Sequence, residues 1–368
     1  FEAVSGFTST GFSIFENIKH LDESLILWRS TSQWIGGLYF LFSIILLLEI
    51  FDVNLKKPLT NFLSFNTSET FKQSIKIFIL YTTLTFFIFI ILNIFDVRSF
   101  NSFNLSMTLI SSGGFLPTNS LESIINSKTK EIVFSFLMLG SFFSLFLSYN
   151  LVSIKKKNLS FFQEDIYLLV YLIILILLFF FLINNKNNFT IIFLSLCSSV
   201  SNIGISLKGS YENISFIFLI ITIIGGSFFS TSSGIRVVKI YSLFKFSINE
   251  LASHAKPMNV FVNKLEFSGT KIETNDINKY FITLLIFILS FLLLSSILTI
   301  SGINLENSFK LSILTLTNTV NSSMYGLNDF NFNELQYFSK YFVIIFMIIG
   351  RVELLTLLII LKKFLFKN

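Results

Sequence analysis

The chain has 368 residues, of which 53% are hydrophobic and 13% charged, with three prolines and a net charge of +6. A charged share well below the soluble average of ~25% excludes a large water-soluble core and points to a polytopic membrane protein. A single cysteine, Cys197, excludes an internal disulfide framework or a cysteine-rich metal site. The positive charge does not indicate nucleic-acid binding, because the lysines cluster between apolar runs as they do in cytoplasmic loops.

The chain opens on Phe1-Glu2-Ala3-Val4-Ser5-Gly6-Phe7-Thr8-Ser9-Thr10-Gly11-Phe12-Ser13, which turns from apolar to hydroxyl-rich within a few residues. Such backbone cannot face lipid, where its N–H and C=O groups would lack partners, but it can line a watery path at membrane depth. Carbonyls at Thr8, Ser9, Thr10 and Gly11 would there replace the hydration shell of a cation. Taken alone, the stretch reads sooner as an external loop, and only its recurrence along the chain reverses that. Phe1 stands inside this motif, so the sequence is expected to lack its true N-terminus and the first span.

About 20 apolar residues cross a bilayer as helix. Runs of that kind extend from Ser30 to Leu48, Ile77 to Phe95, Ile132 to Ile154, Ile166 to Asn185, Asn213 to Ile235 and Tyr280 to Leu305. A last run, Tyr337 to Phe366, is interrupted by Arg351 and Glu353. Basic clusters follow alternate spans, at Lys56 and Lys57, Lys155 to Lys157, Arg236 to Lys256, and Lys362 and Lys363. The segments between them, around residues 96–131, 186–212 and 306–336, are then external.

Each external segment begins with an apolar run too short to cross a bilayer and ends in small polar residues, as a re-entrant helix would. The second polar end is Ser111-Ser112-Gly113-Gly114 and the third is Ser201-Asn202-Ile203-Gly204. The fourth reads Asn321-Ser322-Ser323-Met324-Tyr325-Gly326-Leu327, with Gly326 as its recurring glycine. Recurrence of a whole unit outweighs any single motif. The expected fold is therefore an all-α polytopic membrane protein of four span–pore loop–span repeats around one central pore. Residues 1–55 hold the pore loop and inner helix of repeat one, 56–160 repeat two, 161–246 repeat three, 247–276 a cytoplasmic linker and 277–368 repeat four.

Two features lie below the loops. The run from Gly225 and Gly226 through Ser230, Thr231, Ser232 and Ser233 to Gly234 puts glycines and hydroxyls in the middle of an apolar span. A small-residue packing face is the alternative, but hydroxyls this dense do not fit one face of a continuous helix, and a broken helix beneath the filter is expected. Arg351 lies 11 residues after Lys340 and 11 before Lys362, near the bilayer centre, where an unpaired guanidinium costs at least ~2.5–3.5 kcal/mol. It is expected to project into the conduction path and hold the Gly225–Gly234 segment through its carbonyls.

The run from Phe1 to Gly11, with Trp28-Arg29-Ser30 and Gln33-Trp34-Ile35-Gly36-Gly37, resembles the Trk/Ktr/HKT superfamily of potassium transporters. So do Ile224-Gly225-Gly226-Ser227, Ser230 to Arg236, and Gly350-Arg351-Val352-Glu353. The likeness is nearest to the membrane subunits of bacterial Trk and Ktr systems. It implies a homodimer in the cell (inner) membrane, a cytosolic nucleotide-binding regulatory subunit and a mobile intramembrane gate. It also aligns the fourth filter glycine with Met324, where the family usually reads Gly-Pro-Gly-Leu. Methionine resists positive φ, so relaxed selectivity is expected.

These readings predict potassium uptake through one filter built from Thr8, Ser9, Thr10, Gly11, Ser112, Gly113, Gly114, Asn202, Ile203, Gly204, Ser323 and Met324. Potassium would be the only metal, as substrate, with no cofactor. A sodium-permeable or ion-coupled cation transporter is the alternative. An intramembrane enzyme would need a convergent nucleophile and base or metal ligands, and no histidine lies in a span.

Overall fold

The computed structural model describes residues 1–51, 70–147, 163–182, 189–207, 209, 214–255, 266–267, 270–271, 274–327 and 330–352. Three of its helices are long and apolar enough to cross a membrane, at Ser74–Ile94, Glu164–Phe181 and Asp276–Ile300. They lie within α3 (Thr70–Ile94), α6 (Gln163–Leu182) and α10 (Thr274–Ile300). The first long helix, α2 (Glu23–Phe51), carries the Arg29 to Gly37 motif.

Between the long helices stand short ones. α4 (Ser99–Ile110), α7 (Phe189–Val200) and α11 (Leu305–Leu316) each have 12 residues. At 1.5 Å per residue such a helix is ~18 Å long, short of a ~30 Å hydrocarbon core. The described start of the chain supplies a fourth, α1 (Glu2–Phe7). The three 12-residue helices are buried toward their C-terminal ends, and α4 hides every residue from Asn104 to Ile110. α3 packs on α4 and α10 on α11, while α5 (Lys128–Met138) packs on α7.

Two expected spans are broken. The Ile132–Ile154 run is not one helix, because α5 stops at Met138 and the chain turns through a single 3-10 turn, Leu139–Ser141. The Asn213–Ile235 run stops as α8 (Ser215–Ile223) and resumes as α9 (Val237–Ala255). Across that second gap β1 (Ile224–Gly225) pairs in parallel with β2 (Ile235–Arg236), Ile224 opposite Ile235 and Gly225 opposite Arg236. A further two-residue pair, β3 (Glu266–Phe267) with β4 (Thr270–Lys271), lies in the expected linker. The last helix, α12 (Tyr337–Val352), carries Arg351, while Glu353 falls outside the described residues.

Candidate ion path

The four short helices end in the same turn. At its first position stand Thr8, Ser111, Ser201 and Thr317, and each hydroxyl donates to the carbonyl four residues back, at 2.7, 2.8, 2.7 and 2.9 Å. The next residue, Ser9, Ser112, Asn202 or Asn318, is left-handed, with φ of 54°, 55°, 57° and 47°. The third, Thr10, Gly113, Ile203 or Thr319, returns its N–H to the carbonyl five residues back at 2.8–3.0 Å. This closes each helix in a Schellman-type cap. Short polar side chains suit the second position because they tolerate the left-handed region.

The fourth position is then Gly11, Gly114, Gly204 and Val320. This register corrects the alignment for the fourth loop. Ser323 and Met324 lie beyond the cap, in a 3-10 turn that Gly326 ends at φ 71°. Met324 is fully buried, its sulfur 3.8 Å from the Ser199 hydroxyl, behind the third loop. Ser323 pairs its hydroxyl with that of Ser206 at 2.9 Å. Asn318, Thr319 and Val320 are the residues missed. The one available signal was length, because the cap follows each 12-residue helix at the same count whether or not a glycine is present.

The four turns meet. A methyl group on Gly11 would lie 2.7 Å from the Gly114 Cα, and one on Gly204 would lie 2.4 Å from the Val320 carbonyl oxygen. Gly11 and Gly204 also hold φ of 79° and 81°, which only glycine adopts freely. Side chains close three of the seams beneath them. Ser112 donates to the Ser201 carbonyl at 2.5 Å, Asn202 to the Thr319 hydroxyl at 3.3 Å, and Asn318 to the Thr10 hydroxyl at 2.9 Å. The seam between the first and second turns is closed from outside by Arg351, whose Nη2 lies 3.3 Å from Ser9 Oγ and 3.4 Å from the Ser111 carbonyl.

Buried contacts from α2 brace the first two loops. Arg29 donates to Glu2 at 2.8 Å and to Ser13 at 3.1 Å, with its guanidinium 4.1 Å from the Phe115 ring. The other Glu2 oxygen accepts the Ile14 N–H at 3.0 Å. Gln33 accepts the Phe115 N–H at 3.3 Å, behind Gly113.

The segment between β1 and β2 lies under this belt and is almost wholly buried. Thr231 donates to the Ile110 carbonyl at 2.7 Å, directly below the second turn. Arg351 Nη1 reaches the Thr231 carbonyl at 3.0 Å and Ser233 Oγ at 2.8 Å, so one side chain grips both belt and segment. Arg236 binds the segment internally, through the Ser227 and Ser232 carbonyls at 2.9 Å each and Ser230 Oγ at 3.1 Å. Both guanidiniums sit on Phe40 of α2, at 5.2 and 4.3 Å from its ring centre. The break after α5 forms the opposite wall, where Phe142 and Ser141 carbonyls accept from Ser227 and Ser232 N–H. Glu164, at the start of α6, accepts the Phe228 N–H.

Gly225, Gly226, Ser230, Thr231, Ser232, Ser233, Gly234 and Arg351 are thus gathered into one structure. Phe40 and Glu164 were not singled out in advance, because their contacts cross between helices that no local spacing relates, and Arg236 was quoted only within the resembling run, although its partners Ser227, Ser230 and Ser232 lie in the same segment. Among the described residues no group of histidine, cysteine, aspartate and glutamate has the arrangement of a metal-binding cluster.

Fold and site together define a helical membrane protein whose short helices aim their C-termini at one point. No family model matches the chain. An uncharacterized cation transporter of Methanocaldococcus jannaschii is 24% identical over all of this chain and 76% of its own length. The Trk system potassium uptake protein TrkG of Escherichia coli is 22% identical over 100% of this chain and 78% of its own, and TrkH of Salmonella typhimurium is 24% identical over 98% and 77%. The crystal structure of the potassium transporter TrkH from Vibrio parahaemolyticus superposes with a TM-score of 0.79 at 20% identity, covering 97% of this chain and 76% of that one. The Trk resemblance therefore extends over the whole chain, and these relatives are transporters rather than enzymes.

Proposed function

We propose that the chain takes up potassium through a path along the axis where the four turns meet, each contributing backbone carbonyls from its cap residues. The observation that carries this reading is the four-fold repetition of one capped helix end at one point. Each helix C-terminus presents up to about half a negative charge, so their convergence favours a cation and disfavours an anion. Carbonyl oxygens then replace its hydration shell. Thr8 to Gly11, Ser112 to Gly114 and Asn202 to Gly204 serve as the first three walls, and Asn318 to Val320 as the fourth. No cofactor is required by this chemistry.

The same reading makes each turn the centre of a span–loop–span repeat and the 224–236 segment the gate. Its support is the grip of Arg351, a buried charge that repels a cation while its hydrogen bonds hold the segment across the axis. A cytosolic nucleotide-binding regulatory subunit and a second copy of the chain complete the proposal, on the strength of the motif resemblance. Growth of an uptake-deficient bacterium on limiting potassium tests it. Rescue by this chain, increased by a co-expressed regulatory subunit, is the expected result. Full-level expression in the membrane without rescue overturns the reading.

A further inference from the structure

We propose that Glu164 and Asp165, adjacent carboxylates at the start of α6, form a proton-released latch on the gate. The inference rests on the gate reading above. The latch ties two irregular stretches, the 224–236 segment and the break after α5, to one regular helix. These stretches run side by side. Ser227 and Ser232 donate their N–H groups to the Phe142 and Ser141 carbonyls at 3.0 and 3.2 Å, and the Leu145 N–H donates back to the Phe229 carbonyl at 3.0 Å. The Phe146 and Phe229 rings pack with centres 4.8 Å apart. Each stretch also turns one N–H to α6. The Phe228 N–H goes to Glu164, and the Ser144 N–H to an Asp165 oxygen at 3.1 Å. Consecutive residues of one helix thus hold both stretches.

Acids in the first turn of a helix are commonly there for its dipole. These two do more, because each has an oxygen committed to backbone outside α6. The Ser227 carbonyl accepts from Arg236 at 2.9 Å while the next N–H meets Glu164, so the segment passes between a guanidinium and a carboxylate. Asp165, beside Glu164 on α6, and Arg236, in the segment, both bear on the Glu164 charge. From α9, Lys245 approaches α6 at the stacked pair Tyr167 and Tyr241. A hydrogen bond to an ionised acceptor is roughly twice as strong as one between neutral groups. A proton on either carboxylate keeps the side chain's shape and removes that advantage. Because the two stretches are bonded to each other, loosening one from α6 loosens both, and the segment is freed to leave the axis. Glu164 is half-buried, at the end of α6 that follows Lys155 to Lys157 and is expected to face the cytoplasm, so a proton can reach it. Asp165 is buried.

The test is potassium flux into liposomes containing the purified full chain, with the same pH on both faces. The pH is stepped from about 8 to 5, the range in which folded proteins are generally most stable. Wild-type flux should rise several-fold as pH falls, since protons release the latch. The double variant Glu164→Gln with Asp165→Asn keeps both shapes without the charges. Its flux should be high throughout, with the pH profile flattened and the ion preference unchanged. A wild-type flux that does not respond to pH overturns the proposal, and so does a folded double variant that keeps the wild-type profile. If the double variant does not fold, an unchanged profile in Asp165→Asn overturns it instead. Wild-type vesicles that carry no potassium at any pH, or Arg351→Gln vesicles whose flux equals that of wild type, remove the gate reading on which the latch rests.

Discussion

The belt of helix ends and the segment beneath it are both irregular, polar and buried at membrane depth, yet they are held in opposite ways. Each turn of the belt closes on its own helix, through a hydroxyl and two N–H groups that reach back three to five residues. The 224–236 segment closes on itself through Arg236 and the β1–β2 pair, but it is held against its surroundings from afar, by Arg351, by Glu164, by the Ile110 carbonyl and by the broken stretch after α5. Local closure makes a turn that stays formed whatever its neighbours do. Remote closure makes a segment whose position depends on a few side chains, which is what a gate requires. Arg351 and Thr231 each join the two, Arg351 by gripping both and Thr231 by reaching the Ile110 carbonyl.

The largest effect is expected where the belt's own geometry is violated. Gly204→Ser imposes a side chain at φ 81° and drives its Cβ against the Val320 carbonyl. A left-handed non-glycine residue costs ~1–2 kcal/mol before the collision is counted. Potassium affinity should fall and selectivity relax in flux competition with sodium; unchanged affinity in a normally expressed variant would remove Gly204 from the path.

Arg351→Gln should come next and should touch both regions. It removes charge-assisted hydrogen bonds, each worth ~1.5–3 kcal/mol, to the Thr231 carbonyl and Ser233, and unlatches Ser9 from Ser111. Flux at a given driving force should rise. Ion preference should also shift, because Arg351 spans the seam between the first two turns, from Ser9 Oγ to the Ser111 carbonyl. A rise in flux with no change in preference would confine Arg351 to the gate, and a loss of flux at normal expression would make it structural.

Glu164→Ala should loosen only the segment, since its carboxylate accepts the Phe228 N–H and does not reach the belt. The expected outcome is a moderate rise in flux with ion preference unchanged, measured in the same vesicles. Ser112→Ala should be the mildest. It deletes one buried hydrogen bond to the Ser201 carbonyl, for ~1 kcal/mol of stability, seen as a small drop in melting temperature with transport retained. If Ser112→Ala abolished transport, the belt would be less self-supporting than its local bonds imply.

How far each region was legible in the sequence follows the same division. Apolar half-spans ending in hydroxyls made the first three turns readable, because the atoms that close each turn are neighbours in sequence. The fourth was misplaced onto Met324 and Gly326 because glycine was taken as the mark of the position. Positive φ calls for glycine at Gly11 and Gly204, and at Val320 φ is not positive. The break in the Gly225–Gly234 run was readable from composition, but the matching break after Met138 was not. Leu139-Gly140-Ser141 is unremarkable until the segment from the other half of the chain docks on its carbonyls.

The sequence by itself determined the long apolar helices, the short capped ones and the presence of a buried arginine near the end of α12, since hydrophobic runs, hydroxyl caps and an uncompensated charge are local properties. Which turn faces which, which seam Arg351 closes, and that a valine stands where a glycine was expected were decided only by the tertiary structure. Those outcomes depend on backbones from distant parts of the chain approaching to within a methyl group's width. No spacing within one segment encodes that approach.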